Sequence, residues 1–123
     1  AINACASAHH GPTVTAHKIF TRFIPDSMRI FEEEILSQLP DHYTSQQALI
    51  KDIAKVHGEL LFIHPFREGN GRTSRILANL MARKQGYPGL NFKRIDFNEY
   101  IIAVQQVARK DYSRMEQIIA YTF

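Results

Sequence analysis

Residues 49–81 read LIKDIAKVHGELLFIHPFREGNGRTSRILANLM, two apolar helical patterns joined by a proline and a glycine-rich segment. The first pattern follows a capping box of Thr44 with Gln47. Its apolar residues recur at steps of three and four, as one face of a helix requires: Leu49, Ile53, Val56, Leu60 and Ile63. Pro65 predicts the end of this helix, because the residue before a proline is disfavoured in the helical region. The second pattern predicts another helix, whose apolar face comprises Ile76, Leu77, Leu80 and Met81.

Helical patterns continue towards the C terminus. Gly86 predicts the end of the second helix, because glycine accepts the left-handed conformation that closes many helices. Asp96 with Glu99 predicts the start of a further helix, whose apolar residues are Tyr100, Ile101, Val104 and Val107. A last helix is predicted from about Tyr112, and its apolar residues are Met115, Ile118 and Ile119.

Towards the N terminus, a helix is predicted between two prolines. Asp26 or Ser27 can cap it after Pro25, and Pro40 ends it. Its apolar positions are Met28, Phe31, Ile35 and Leu39, and its solvent face carries Glu32, Glu33 and Glu34. Residues 13–24 alternate only loosely and suit a short strand or hairpin. The sequence therefore predicts an all-α (mainly α) helical bundle with a short β-hairpin near its N terminus.

Length and composition are those of one folded domain. The 123 residues are 45% hydrophobic, which argues against disorder. We expect a single domain over residues 1–123, with a helical core over 25–123 and a less defined segment over 1–24. The formal charge of +3 is too small for a nucleic-acid-binding surface. No apolar run approaches the ~20 residues that a membrane span needs, so no membrane partner is expected.

Cysteine content and the first residues bear on location. The single cysteine, Cys5, cannot form an intrachain disulfide, so nothing requires an oxidising compartment. The start lacks the basic region and long apolar stretch of a secretory signal, and we expect a cytoplasmic protein. It also lacks an initiator methionine, so a longer natural chain with further segments is one expectation.

Two arginines stand where a helix is least suited to hold them. The pattern places Arg72 and Arg75 in the first turn of the second helix, where the dipole and the free N–H groups are already positive. Two guanidinium groups fit there if a phosphate ligand supplies the missing negative charge. They could instead pair with Glu32 to Glu34. We expect them to bind phosphate.

The glycine-rich segment supports a phosphate site. Gly69 and Gly71 permit positive φ angles that aim successive N–H groups into one concavity. Asn70 tolerates left-handed backbone and adds an amide donor. Glu68 would repel a bare phosphate, and it becomes useful if it binds Mg²⁺ that bridges phosphate oxygens. The segment predicts a site for a metal-bound polyphosphate.

A histidine stands at the start of this segment. The neighbouring arginines and the helix dipole should favour the neutral form of His64, which can accept a proton. We expect it to take the proton from a hydroxyl that attacks phosphorus. Phe66 is expected to anchor the loop in the core, and Arg67 to be solvated. His57, in the middle of the preceding helix, is expected to be a structural residue with its hydrogen bonds satisfied.

These residues resemble the signature of the Fic family (filamentation induced by cAMP), which is His-x-Phe-x-Asp/Glu-Gly-Asn-Gly-Arg-x-x-Arg. The chain matches every specified position between His64 and Arg75. The resemblance implies an α-helical protein adenylyltransferase, which transfers AMP from ATP to a Ser, Thr or Tyr hydroxyl of a target protein and releases pyrophosphate. It implies His64 as base and Glu68 as Mg²⁺ ligand. It also implies an anion hole for the α- and β-phosphates, with arginines for the outer phosphates: Gly69, Asn70, Gly71, Arg72 and Arg75.

The resemblance further implies two accessory features. Many Fic proteins clamp a target segment with a β-hairpin flap, and residues 15–23 lie in about the right place for one. Family members also use an inhibitory helix with Ser/Thr-x-x-x-Glu-Gly/Asn, whose glutamate pairs with the second motif arginine. The chain has no copy, so a missing segment or an antitoxin-like partner would have to supply one, unless this control is lacking.

Other functions stay open from the sequence. Doc-type relatives carry a lysine near the second glycine and transfer phosphate, and no such lysine is present here, which favours nucleotidyl transfer. The donor could instead carry UMP, GMP or phosphocholine. The domain could also be a non-catalytic nucleotide-binding regulatory module. Nucleic-acid binding would require steeply salt-dependent affinity, and the dispersed charge argues against it.

Overall fold

The computed structural model describes residues 21–123, and this part of the chain is helical with no strand, as predicted. Five α-helices follow one another along it: α1 (Ile24–Glu34), α2 (Gln46–Ile63), α3 (Asn70–Lys84), α4 (Phe97–Val107) and α5 (Ser113–Thr122). Short 3-10 helices are found at Thr21–Phe23, Leu36–Gln38 and Phe92–Arg94. None of the described helices is both long and apolar enough to cross a bilayer.

Helix α2 is the centre of the bundle, because the four other helices all pack against it. The predicted apolar stripe of α2 is confirmed as buried, from Leu49 at its start to Ile63 at its end. A further set of α2 residues is buried outside this stripe: Ile50, Ala54, His57, Gly58, Glu59 and Leu61. One core cluster lies between α2, α3, α4 and α5, and a smaller one lies between α1 and α2. Burial on nearly all sides fixes the position of the C-terminal end of α2.

The ends of α1 differ from the prediction. The helix begins at Ile24, before the proline, and neither Asp26 nor Ser27 is its cap. Proline is well tolerated in a first helical turn, since the N–H it lacks has no intrahelical acceptor there. The helix ends at Glu34 and is followed by the 3-10 helix at Leu36–Gln38. The backbone becomes extended at Leu39. Pro40 therefore follows the helix without terminating it.

The predicted hairpin and capping box are also corrected. Residues 21–23 form a 3-10 helix, so the strand prediction is wrong there, and the rest of the predicted hairpin lies outside the described residues. Helix α2 is capped by Ser45, whose hydroxyl accepts a hydrogen bond from the N–H of Ala48 at 3.1 Å. The predicted cap was Thr44, one residue earlier.

Helix α3 buries only part of the predicted apolar face: Leu77 and Met81 are partly buried against the core clusters, as predicted, but the other two positions are exposed. Ile76 and Leu80 are 60% and 57% exposed. Beyond its first turn, the fully buried positions are Ser74, Ala78 and Ala82, which repeat every four residues. Small side chains at this spacing let the backbones of α3 and α2 approach closely. The spacing of apolar residues in the sequence does not reveal the burial of these small side chains, because large apolar residues give the stronger signal.

The C-terminal helices are tied to α2 by a buried carboxylate. Glu59 accepts hydrogen bonds from Nζ of Lys110 at 2.8 and 2.9 Å and from the hydroxyl of Tyr112 at 2.5 Å. Both donors come from the turn between α4 and α5, where Lys110 has a left-handed φ of 62°. The predicted start of α4 is confirmed, because the Asp96 carboxylate caps it. These contacts hold α4 and α5 against the central helix.

Candidate active site

His64 terminates α2 in a left-handed conformation, with φ 56° and ψ 58°. Its N–H still donates to the carbonyl of Leu60 at 3.0 Å, so the backbone leaves the helix only at this residue. The predicted stop before Pro65 is confirmed. A non-glycine residue pays about 1–2 kcal/mol in this region, and such strained positions are concentrated at functional sites. The half-buried imidazole thus has a fixed place at the end of the most buried helix.

The loop that leads from α2 to α3 is closed by Asn70. Its side-chain Oδ1 accepts from the N–H of Phe66 at 2.9 Å, and its Nδ2 donates to the carbonyl of Phe66 at 2.7 Å. The Phe66 side chain is 50% exposed, so the prediction that it anchors the loop in the core is wrong. The peptide backbone of Phe66 is the anchor. Its partner, the buried amide of Asn70, is occupied by this contact.

The amino end of α3 is built differently from the predicted glycine loop. Gly69 alone is left-handed, with φ 83°, while Asn70 and Gly71 are already the first two residues of the helix. The positive φ predicted for the glycines is thus found at Gly69 and not at Gly71, and the tolerance of Asn70 for left-handed backbone is not used. No side chain caps the helix, and the first N–H to find an intrahelical acceptor is that of Thr73, at 2.9 Å from the Gly69 carbonyl. Three N–H groups, of residues 70–72, precede it.

The two motif arginines lie at different depths along α3. Arg72 is in the first turn, and its guanidinium group lies over Gly69: a Cβ added there would be 3.2 Å from Nη2. Arg75 falls in the second turn rather than the predicted first. Among residues 21–123, every ion pair is made by a cation other than Arg72 and Arg75. Glu33, one of the alternative partners, pairs with Arg29. The amino end of α3 is thus left with positive charge that no described carboxylate neutralises.

A cavity of about 540 Å³ opens beside Arg75. The aromatic and aliphatic residues that line it come from the segment after α3 and from α4: Leu90, Phe92, Ile95, Phe97 and Tyr100. Its polar lining comprises Arg75, Asn79, Asn91 and Lys93. The cavity therefore combines apolar walls with a cation from the motif.

Comparison with known families agrees with this geometry. A family model described as the Fic/DOC family matches residues 6–82, which is more than half of the chain. The chain belongs to the Fic/DOC family. The matched range includes the whole Fic motif from His64 to Arg75 and most of α3. Helices α4 and α5, with most of the cavity lining, lie beyond it.

Several curated relatives carry Fic names. Protein adenylyltransferase Fic of Aedes aegypti is 34% identical over 93 residues, which cover 69% of this chain and 19% of that protein. Protein adenylyltransferase fic-1 of Caenorhabditis elegans is 36% identical over 69 residues, which cover 56% of this chain and 14% of that protein. The Fic domain described here spans less than a fifth of the length of these relatives.

Glu68 of the Fic motif is exposed, one residue before the left-handed Gly69. Within residues 21–123, no group of three or more His, Cys, Asp or Glu side chains could hold a metal ion. Mg²⁺ commonly binds through one or two carboxylates, with substrate phosphates and water as its other ligands. Glu68, exposed near the amino end of α3, fits that mode.

A buried histidine cluster adjoins the Fic motif, and we call it the His57 cluster: His57, Ser74 and Tyr100. Nδ1 of His57 lies 2.8 Å from the Ser74 hydroxyl and 3.1 Å from the Ser74 carbonyl, and Nε2 makes a short hydrogen bond with the Tyr100 hydroxyl. The imidazole also stacks on Phe92 at 5.2 Å between ring centroids. The prediction of a structural, hydrogen-bonded His57 is confirmed. Its partners were not predicted, although Ser74 lies inside the motif.

The His57 cluster holds its imidazole neutral. Burial lowers the pKa of His57 to about 4, the hydrogen bond to the Ser74 backbone opposes this, and the charge of Arg75 lowers it further. The unfolded chain therefore binds a proton between about pH 6.5 and pH 4 that the folded chain does not. The stability that this histidine contributes is fully present above pH 6.5 and is lost as the pH falls towards 4.

This shift predicts a pH-dependent stability. Between pH 8 and pH 5, His57 should reduce the free energy of unfolding by about 2 kcal/mol. Urea unfolding at both pH values measures the change, and the His57→Phe variant should lose this part of the slope. The ring C–H protons of His57 should show no NMR titration above about pH 5. A midpoint near 6.5 would contradict the prediction.

Proposed function

We propose that this domain transfers AMP from ATP to a hydroxyl group of a target protein and releases pyrophosphate. The observation that carries the proposal is the amino end of α3, where uncapped N–H groups, a left-handed glycine and an arginine converge without a described carboxylate partner. Such an end binds phosphate groups well. The relatives' names, protein adenylyltransferase, support the nature of the transferred group.

In the proposed reaction, His64 accepts the proton of the attacking hydroxyl. The new bond forms between that oxygen and the α-phosphorus of ATP, and the bond from the α-phosphorus to the bridging oxygen breaks. The electron pair leaves with pyrophosphate. Backbone N–H groups of residues 69–71 bind the α- and β-phosphates, while Arg72 and Arg75 bind the outer ones. Little covalent chemistry is asked of the protein, so positioning and charge neutralisation provide most of the rate.

Mg²⁺ bound at Glu68 would neutralise phosphate charge. The side-chain amide of Asn70 already hydrogen-bonds both the N–H and the carbonyl of Phe66. We assign Asn70 two contributions: it closes the loop through its amide group, and it offers its own N–H to phosphate. The phosphate site is thus mostly backbone, and glycine at 69 keeps that backbone accessible.

The position of the radioactive label tests the proposal against phosphate transfer. Incubation of the domain with Mg²⁺, α-³²P-ATP and a heat-treated cell lysate, in which endogenous kinases are inactive, should label target proteins. The same incubation with γ-³²P-ATP should leave them unlabelled, because the γ-phosphate departs in pyrophosphate. Label from the γ-position would instead indicate phosphate transfer. Competition by unlabelled UTP, GTP and CDP-choline decides between ATP and another donor. ATP binding without any protein label would indicate a nucleotide-binding regulatory module.

The proposed metal role leads to a prediction at Glu68. The Glu68→Gln variant should need about tenfold more Mg²⁺ for half-maximal transfer, because one carboxylate of the ion's ligand set is lost. A Mg²⁺ titration of label transfer at saturating ATP measures this. Glu116→Gln removes a carboxylate from α5 as the matched control and should leave the midpoint unchanged. Equal midpoints in Glu68→Gln and the original protein would contradict the assignment.

Two further assignments concern context. We propose that a carboxylate from a longer form of the chain, or from an antitoxin-like partner, inhibits transfer by pairing with Arg75. Comparing the rates of this domain and a longer natural form tests this, and identical rates would remove the version with an intramolecular segment. We also propose a cytoplasmic location, which imaging of the tagged natural protein tests.

A further inference from the structure

The His57 cluster joins three helices next to the motif. His57 lies on α2, Ser74 on α3 and Tyr100 on α4, and all three residues are buried. Residues 57 and 100 are far apart in sequence, yet they share a hydrogen bond. Through these two partners, the His57 side chain on α2 hydrogen-bonds directly to both α3 and α4 beside the proposed site.

The contacts of the cluster fit one tautomer of His57. The Ser74 hydroxyl donates to the His57 carbonyl at 3.1 Å, so its oxygen is left to accept from Nδ1–H at 2.8 Å. The same N–H also faces the Ser74 carbonyl at 3.1 Å. Nε2 is then unprotonated and accepts from the Tyr100 hydroxyl. In this arrangement both ring nitrogens are satisfied and the imidazole is neutral, which agrees with its lowered pKa.

Each end of the cluster reaches a residue of the proposed site. Ser74 directly precedes Arg75, and Tyr100 lines the same cavity as Arg75. His57 lies seven residues before His64 on α2, which is about 10 Å along the helix axis. The cluster therefore connects the helix that ends in the proposed base with the helix that begins at the phosphate site.

We propose that His57 is a positioning residue for the transfer reaction: it fixes the rotation of α3 against α2, so that the N–H groups at the start of α3 face His64, and it holds Tyr100 against the cavity beside Arg75. This inference rests on the proposed function. Displacement of a reacting group by about 1 Å can cost about 100-fold in rate. A small rotation of α3 is therefore enough to matter.

Packing alone does not account for a histidine at this position. An apolar side chain would fill the same buried space without the cost of removing polar nitrogens from water. The imidazole additionally constrains the orientation of its partners, because its hydrogen bonds are angle-dependent and lie on opposite edges of one rigid ring. A ring bonded on both edges fixes the relative rotation of the helices that carry its partners.

Two minimal variants test the cluster while keeping its rings in place. Tyr100→Phe removes one hydroxyl and Ser74→Ala removes another, and each leaves His57 buried. Each variant should lower kcat for label transfer about tenfold or more, while ATP affinity measured by calorimetry changes less than about threefold. The double variant should lose less than the product of the single losses, because both hydroxyls act through the same imidazole.

Matched controls separate positioning from stability. Tyr43→Phe removes a hydroxyl that donates to Asp52 on α2 at 2.7 Å, and Asp52 is on the part of α2 remote from the motif. Thr122→Val removes a buried hydroxyl that donates to the Ile119 carbonyl at 2.6 Å. Both controls should lose stability comparable to that lost by the cluster variants, about 1 kcal/mol, and keep kcat within twofold.

The outcomes of this experiment are distinct from those of the proposed function. If the unmodified domain transfers label but Tyr100→Phe and Ser74→Ala keep kcat within twofold, the positioning role is overturned. Equal losses in the controls overturn it as well. If the unmodified domain transfers nothing, the proposed function fails, and NMR shifts of the residue 70–72 amides decide the positioning claim. Amide shifts unchanged by Tyr100→Phe overturn it, and shifts larger than those in Tyr43→Phe support it.

Discussion

Replacing His64 by asparagine is expected to lower the rate of AMP transfer by about 10²–10⁴-fold, the range that a general base contributes. ATP affinity should change less than about threefold, because the phosphate contacts assigned here come from α3 and not from the imidazole. The variant separates chemistry from binding. The expected loss of rate is large, since no other described side chain is assigned to accept the proton.

Asparagine is the right replacement because of the backbone at this position. His64 has φ 56° and ψ 58°, a conformation that asparagine accepts more readily than alanine. His64→Asn therefore removes the base with little change in strain. His64→Ala should add a loss of stability of about 1 kcal/mol. Because both variants lack the imidazole, a difference in rate between them would be caused by backbone strain and not by loss of the base.

Label transfer at saturating ATP measures the rate, and calorimetry measures the affinity. His42→Asn is the matched control, because His42 is an exposed histidine in the connection before α2; it should behave as the original protein does. Transfer by His64→Asn within about fivefold of the original rate would contradict the assignment of the base. Loss of ATP binding would instead place His64 in the nucleotide site.

The fold was predictable where side-chain size and burial agree. Leu49, Ile53 and Val56 are large, regularly spaced and buried, so the pattern identified α2 and its inner face. The prediction for α3 was only partly right: Leu77 and Met81 pack against the core, but the most deeply buried apolar side chains of the helix are Ala78 and Ala82. A small side chain gives a weak hydrophobic signal, whereas close packing of backbones needs small side chains. The exposure of Ile76 could be read only from the assembled bundle.

Helix boundaries were less predictable than helices. The helix was predicted to begin after Pro25, yet Pro25 lies in the first turn of α1, where a proline is well tolerated. Likewise Thr44 and Ser45 are both good caps, and only the path of the chain selects Ser45. Local sequence allows either choice in each case, and tertiary packing decides between them.

The position of the Fic motif relative to the helices was predictable, whereas the hydrogen bonds within it were not. Spacing placed Arg72 at the amino end of α3, and the structure agrees. Side-chain type suggested Phe66 as a core anchor, which is wrong, and it did not predict that the Asn70 side chain closes the loop on the backbone of Phe66. The hydrogen bond between His57 and Tyr100 could not be predicted, since no local sequence pattern pairs residues so distant in the chain.

The left-handed glycine at the amino end of α3 allows a test with an unusually close control. Gly69 and Gly86 have φ angles of 83° and 89°, so a change to alanine strains both backbones similarly, by about 1–2 kcal/mol. Their surroundings differ. A Cβ at Gly86 would have no atom within 4 Å, whereas a Cβ at Gly69 would lie 3.2 Å from Nη2 of Arg72.

Gly69→Ala should therefore reduce ATP affinity about tenfold and the transfer rate about 100-fold, while Gly86→Ala changes neither by more than about twofold. The added methyl group would shift the Arg72 guanidinium by a few tenths of an ångström, and it would stand where a phosphate would approach the backbone. Urea unfolding should give similar stability losses for the two variants, which removes strain as the explanation. Binding and transfer that survive in Gly69→Ala would mean that phosphate does not occupy this end of α3. Equal losses in both variants would mean that the effect is one of stability alone.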